Sequence, residues 1–403
     1  MVRRRRMHGA GAARSRAGVV LAVAVSLSLA ACTGPHAAAP DVSSVPPSAA
    51  APSPSPASPP APTPSVPATP APLVHPVGEP VVIASNLDVP WSILRLPGGG
   101  TLISERDSAQ VVELLPDGRT RVAGTVPGVE PQGEGGLLGL ATPRAAPGDA
   151  GAASVVWVYA YFTSSTDNRV VRMPLAGEAG SYRLGAPELV VRGIPKAGNH
   201  NGGRLGFGPD GMLYVTAGDA GNSDNAQDRG SLGGKILRMT PTGDVPPGNP
   251  FGTLVYSFGH RNPQGIAWDS SGQLWASEFG QNTWDELNRI VPGGNYGWPV
   301  VEGAGGGDDF IDPVQQWPTD AASPSGIAIV SDTIFMVGLR GERLWQIDPS
   351  TGEAKDWFVH RFGRLRDVVS GPDGTLWFVS NNTDGRGTPA EGDDRLYQVR
   401  VAA

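Results

Sequence analysis

Six short stretches, QVVELLPDG, RVVRMPLAG, KILRMTPTG, ELNRIVPGG, RLWQIDPSTG and RLYQVRV, recur along the chain with apolar residues at alternate positions. A period of two puts the apolar side chains on one face of a strand, and five of the six stretches run into a Pro or Gly turn. Their anchors, Leu114, Met173, Met239, Ile290, Ile347 and Val399, are 59, 66, 51, 57 and 52 residues apart. A second series, LPGGGTLISE, FGPDGMLYVTAGD, WDSSGQLWASEFG and SGPDGTLWFVSNN, places a Gly turn before an alternating strand. Strand units at this spacing, with no convincing amphipathic helix between them, predict an all-β fold, a six-bladed β-propeller. A β-sandwich would lack so long and even a period. Blades close into one ring, so residues 77–403 are predicted to form one domain, although 403 residues would suffice for two. Function in such a ring resides on the loops at one mouth of the central channel.

The remainder of the chain has a different composition. Residues 33–76 hold 15 of the 40 Pro residues, interleaved with Ala and Ser, and predict an extended tether that cannot bury enough apolar surface to fold. Before it, Arg3 to Arg6 precede an apolar run that begins at Ala17 and is too short to span a bilayer, as in a secretory signal. Leu29-Ala30-Ala31-Cys32 then resembles a bacterial lipobox, so residues 1–32 read as a lipoprotein signal peptide with Cys32 as the lipidated membrane anchor. Ordinary signal peptidase cleavage beside a chance Cys is the plainer alternative. Cys32 is the single Cys, which excludes an intramolecular disulfide in an exported domain. Six of the 31 basic residues lie in the first 32 positions with no acid, leaving 25 bases against 38 acids, a net of −13. That balance argues against a nucleic-acid partner, which needs basic surface to displace counterions.

Polar residues gather in four loops beside repeat strands: 196–205, 259–265, 278–286 and 363–367. His200 lies on a Gly-flanked loop, and an imidazole is a side-chain type that suits a general base. Several Arg at one mouth of an acidic protein imply an anionic ligand with carboxylates or phosphates. Acidic side chains and Gly-rich backbone carbonyls suit Ca²⁺, a hard cation that prefers oxygen. Taken singly, each has a structural reading too: His200 ordering its loop, the Arg in surface ion pairs, Asp285-Glu286 on a solvated strand edge.

Together the motifs resemble the PQQ-dependent soluble glucose dehydrogenase family, also known as the glucose/sorbosone or aldose sugar dehydrogenases. The resemblance rests on Gly259-His-Arg-Asn-Pro-Gln-Gly265, Gly293-Gly-Asn-Tyr-Gly-Trp-Pro299 and His200-Asn-Gly-Gly-Arg-Leu205 followed by Gly208-Pro-Asp-Gly211. Gly133-Glu-Gly-Gly-Leu-Leu-Gly139, Ser323-Pro-Ser-Gly326 and Arg364-Leu-Arg-Asp-Val368 extend it in family order over nearly all of residues 80–400. The family fold is a six-bladed propeller, which agrees with the repeat count.

The resemblance implies PQQ and Ca²⁺ as cofactors and oxidation of the anomeric hydroxyl of aldoses to lactones. It makes His200 the base that takes the C1 hydroxyl proton while hydride passes to C5 of the quinone, and Arg261 the group that stabilises charge on the quinone oxygen, with Asn262 beside it. Asn199 stands where some members have an Asp beside the base, so the group that tunes His200 is altered. Arg364, Arg366 and Arg340 match cofactor binders, and Glu134 lies near the reacting sugar where glucose-specific members have Gln. Gly280 and Gln281 would offer backbone carbonyls to the cofactor's Ca²⁺, and Glu286 with the Tyr296 carbonyl would form a separate structural calcium site. The expected partners are an aldose, an electron acceptor that the sequence does not name, and the membrane through Cys32, on the extracytoplasmic side. Two readings from other classes stand beside this one. A catalytically inactive cell-surface propeller would have no need for His200, Arg261, Arg364 and Arg366 together. A calcium-dependent propeller lactonase has no need of a polycarboxylate, which the paired Arg364 and Arg366 suit.

Overall fold

The structure, a computed structural model, describes residues 72–144 and 155–403. The signal at 1–32, Cys32 and tether residues 33–71 lie outside the described residues. Among the described residues, the strands form six antiparallel sheets of four strands, one of which carries the extra two-residue strand Arg183–Leu184. Five sheets are consecutive in sequence, at residues 90–125, 137–194, 205–258, 263–318 and 324–357, numbered here as blades 1 to 5. Blade 6 joins Leu365–Ser370, Thr375–Ser380 and Leu396–Ala402 to the first strand of the domain, His75–Ala84. The predicted six-bladed all-β ring is therefore observed. Among the described residues, helix is confined to one turn at Asp224–Gln227 and a 3₁₀ turn at Gly307–Asp309.

Both repeat series occupy fixed places in the blades. The six spaced anchors all belong to third strands, from Gln110–Leu114 in blade 1 to Leu396–Ala402 in blade 6. The Gly-turn series supplies second strands: Thr101–Glu105, Leu213–Ala217, Leu274–Glu278 and Thr375–Ser380. The innermost strands, Pro90–Arg95, Leu137–Ala141, Leu205–Phe207, Pro263–Trp268, Pro324–Val330 and Leu365–Ser370, each meet both neighbours and close the ring. Their approach is so close that a Cβ on Gly326 would lie 2.1 Å from Asp367 Oδ1. Apolar seams between blades form the core, as where Trp275 and Leu287 of blade 4 meet Ile334, Met336 and Trp345 of blade 5. Each such side chain contributes about 1.5–3 kcal/mol on full burial.

The channel is closed by a polar plug. Arg204 Nη1 pairs with Asp367 Oδ1 at 2.9 Å, Asp367 Oδ2 accepts the Ile93 N–H at 2.8 Å, and the Arg204 guanidinium lies 4.3 Å from the Trp91 ring. All are buried, so one ion pair ties blades 1, 3 and 6 together.

The tether ends earlier than position 76. Blade 6 needs an outer strand, and the chain begins to supply it at His75. Val74 is already buried, donating its N–H to Thr333 Oγ1 and accepting from Gln346 Nε2, both at 2.9 Å. No helix among the described residues is long and apolar enough to cross a membrane.

Candidate active site

The loops that enter the innermost strands and those that follow the second strands lie on one face. Two adjoining recesses open there. The first, of about 180 Å³, is lined by Trp91, Arg106, Glu134, Gln264, Phe279, Ser323, Arg340, Arg364, Arg366, Asp384 and Arg386. The second is a cleft of about 680 Å³ with His200, Asp219, Arg261, Gln281, Trp298 and Glu302 in its wall.

His200 sits in the left-handed backbone region, with φ of 55°, a conformation that non-Gly residues adopt at a cost. Its Nδ1 lies 2.8 Å from Asp219 Oδ1, and Asp219 Oδ2 accepts the Trp298 Nε1–H at 2.9 Å. The group that holds this imidazole is thus Asp219, whereas Asn199, the expected neighbour, is exposed on the cleft wall. Asn199 carries no hydrogen bond to the ring because the turn at His200 directs the ring to the loop after the second strand of blade 3. Burial opposes ionisation of Asp219, yet the hydrogen bond and charge of His200, with the Gly221 and Trp298 donors, hold its carboxyl below the usual range.

Asn262 has a structural part beside Arg261. It is buried and its Oδ1 accepts the Gly202 N–H at 3.0 Å, which fastens the His200 loop to the Arg261 loop. Glu278 accepts the N–H groups of Arg261 and Asn262, while its other oxygen lies 2.8 Å from Nδ1 of the fully buried His260. The Arg261 guanidinium lies 5.5 Å from the Trp298 ring, donates to the carbonyls of Phe279 and Gly280, and has a buried Nε without a partner.

The first recess brings five guanidiniums, Arg106, Arg340, Arg364, Arg366 and Arg386, together with two carboxylates, Glu134 and Asp384. Asp384 accepts from Arg364 Nε and Nη2 at 3.1 and 2.8 Å and lies 4.0 Å from Arg366. Arg366 donates from Nη1 to Gln264 Oε1 at 2.7 Å, but its buried Nε has no partner. Burial pulls Arg366 down to about 9 despite Asp384, so at neutral pH it is a charged group in an unfavourable place. Arg340, exposed, stands at the rim. Glu134 connects the recesses: Oε2 accepts the His200 N–H at 3.0 Å and Oε1 accepts from Arg386 at 2.9 Å.

Among the described residues, no three His, Cys, Asp or Glu side chains converge as a metal site. A cation here would rest on backbone carbonyls, and Gly280 and Gln281 lie at the junction of the cleft with Arg261. Glu286 and Tyr296 do share a small pocket of about 10 Å³ with Glu278 and Glu302. In this structure Glu286 accepts the Gly303 N–H at 2.8 Å and Asn288 Nδ2 at 2.9 Å, and burial with the nearby Glu278 pushes its carboxyl up.

Reasoning from sequence missed Arg106, Asp219, Trp298, Glu302, Asp384 and Arg386. A signal existed for some: the residues just after a second strand reach the mouth in blade after blade. Arg106 follows Thr101–Glu105, Asp219 follows Leu213–Ala217, and Arg340 follows Thr333–Gly338. Asp384 and Arg386 lie in the corresponding, longer loop of blade 6.

Comparison with known proteins identifies relatives of this chain. Residues 87–389 match the family described as Glucose / Sorbosone dehydrogenase. An aldose sugar dehydrogenase of Escherichia coli is 30% identical over 75% of this chain and 90% of its own length. Quinoprotein glucose dehydrogenase B of Acinetobacter calcoaceticus is 28% identical over 75% of this chain and 85% of its own. Among solved structures, the PQQ-bound aldose sugar dehydrogenase of Streptomyces coelicolor is 51% identical, with a TM-score of 0.75 over 81% of this chain and all of that one. The chain belongs to the glucose/sorbosone dehydrogenase family.

Proposed function

We propose that the mouth oxidises the anomeric hydroxyl of aldoses to lactones with PQQ and Ca²⁺ as cofactors. The observation that carries this reading is the junction at Glu134, which joins a carboxylate-held imidazole to a recess of five guanidiniums, one with a buried unpaired Nε. PQQ is a tricarboxylate, and an anion of that kind relieves a cluster in which positive charge exceeds negative. The residues present fit it: Arg364, Arg366 and Arg340 would hold carboxylates, and Arg261 would face the quinone. The carbonyls of Gly280 and Gln281 would hold the cation. When bound, the quinone with its cation supplies the two-electron acceptor for hydride from C1.

His200 takes the proton of the C1 hydroxyl at Nε2, because Nδ1 is committed to Asp219. Asp219 fixes the tautomer and stabilises the imidazolium that forms. Arg261 offers positive charge where negative charge develops during the reaction, a stabilisation realised in the transition state. Trp298 braces Asp219 and walls the cleft against water. Reconstitution with PQQ and Ca²⁺ should give binding at micromolar concentration and an aldose-dependent change in the quinone spectrum. No binding at that concentration would sink the reading.

We also propose that the protein is exported and lipid-anchored at Cys32. Support comes from the lipobox and the Pro-rich tether, and from where the chain joins the ring. His75 pairs with Ala402, so the described chain enters blade 6 at the end remote from the Asp384 loop. Cys32→Ser should release the protein from the membrane fraction; retention there would refute the anchor.

A further inference from the structure

Glu302 belongs to the loop that follows Gly293-Gly-Asn-Tyr-Gly-Trp-Pro299. Its Oε1 accepts four successive backbone N–H groups, those of Gln281, Asn282, Thr283 and Trp284, at 2.6, 2.9, 3.0 and 3.2 Å. Consecutive amides curled round one anion form a nest. Burial opposes ionisation of Glu302, but these donors outweigh it and hold the carboxyl below its usual range.

The nest fixes more than the N–H groups. In a trans peptide the carbonyl of one residue points opposite to the N–H of the next. With the N–H groups of Gln281 and Asn282 turned to Glu302, the carbonyls of Gly280 and Gln281 point away from it, and that of Gly280 meets the Arg261 guanidinium. The turn demands Gly at 280, since a Cβ there would lie 1.8 Å from the Trp284 carbonyl oxygen and 2.8 Å from Glu302 Oε1. Both ends of the arrangement are tied down: Gly280 N–H donates to Asp285 at 2.9 Å, and Gly303 N–H donates to Glu286 at 2.8 Å.

We infer that Glu302 is a positioning residue that turns the Gly280 and Gln281 carbonyls toward the cofactor cation. The inference rests on the cation reading above and adds the side chain that makes two ordinary peptides into a ligand pair. Without Glu302, four N–H groups seek water and the two peptide planes are free to rotate.

The test uses full-length protein stripped with chelator, in Glu302→Ala and Glu302→Gln forms. Calcium titration by calorimetry should show affinity reduced about 10- to 100-fold in Glu302→Ala, the range for loss of a group that orients metal ligands. Glu302→Gln, which keeps an acceptor oxygen, should recover part of it. Amide exchange in the calcium-free proteins should quicken at residues 281–284 in Glu302→Ala, while the strands of blade 4 keep their protection. Unchanged exchange at 281–284, or faster exchange with unchanged calcium affinity, would overturn the inference. Failure of the parent protein to bind calcium would overturn the cation reading itself, a result the exchange measurement keeps separate.

Discussion

Asp219 Oδ1 lies 2.8 Å from His200 Nδ1, and the two residues come from different loops, 19 positions apart in sequence. The imidazole is held from behind by a buried carboxylate and presents Nε2 to the cleft. Loss of a general base costs about 10²–10⁴-fold in rate. His200→Ala should lose that much in kcat and still bind PQQ. Asp219→Asn, which unsettles the tautomer, should lose most of it with little change in KM. Single-turnover quinone reduction measures both, and an Asp219→Asn enzyme at full speed would remove the carboxylate from the mechanism.

The same carboxylate should appear in acid stability. Its folded pKa is below the ordinary value of 3.8, so the unfolded chain takes up the proton more readily. The stabilisation is present above that value and disappears as pH falls through the depressed one. Urea unfolding from pH 6 downward should therefore show a steeper acid loss for the parent than for Asp219→Asn. Parallel curves would contradict the assignment.

The ring was legible because it repeats. Period-two strands and Gly turns recur six and four times, and each series proved to be one strand position in the blade. His200, Arg261 and Arg364 were legible because each loop lies beside a recognisable strand. Asp219 was not, because its partner is distant in sequence and Asn199 stood next to the base. Glu302 was hidden for another reason: it acts on backbone N–H groups, which every residue carries. Gly326 is needed where one inner strand presses on the next.

Arg366 should show opposed effects on stability and binding. Its charge is buried and poorly compensated, so Arg366→Met replaces a costly cation with a side chain of similar length. The cofactor-free variant should unfold at the same urea concentration as the parent or a higher one. Its affinity for PQQ should fall about 10- to 150-fold, the equivalent of a charged hydrogen bond worth about 1.5–3 kcal/mol. A variant that is less stable yet binds PQQ normally would make Arg366 structural.

The plug behaves in the opposite way. Arg204 neutralises the buried Asp367, so Arg204→Met leaves a carboxylate with no cation at the centre of the ring. Breaking one side of such a pair costs about 3–5 kcal/mol. Adding Asp367→Asn should return part of that loss, and urea unfolding of the four proteins forms a double-mutant cycle. A single-variant loss under about 1 kcal/mol would show that the pair does not hold the ring.

Arg386 separates rim from chemistry. Its pair with Glu134 is 61% exposed on the Arg side, and Glu134 keeps a second anchor in the His200 N–H. Exposed pairs are worth up to about 1 kcal/mol, so Arg386→Met should change unfolding stability by no more than that. Glu134 loses one of two restraints but remains bonded to the His200 loop. An aldose KM raised up to about fivefold, the factor equivalent to about 1 kcal/mol, is expected with kcat nearly constant. Steady-state kinetics with saturating PQQ distinguishes the two constants. A fall in kcat comparable with that of His200→Ala would move Arg386 from the rim into the reaction itself.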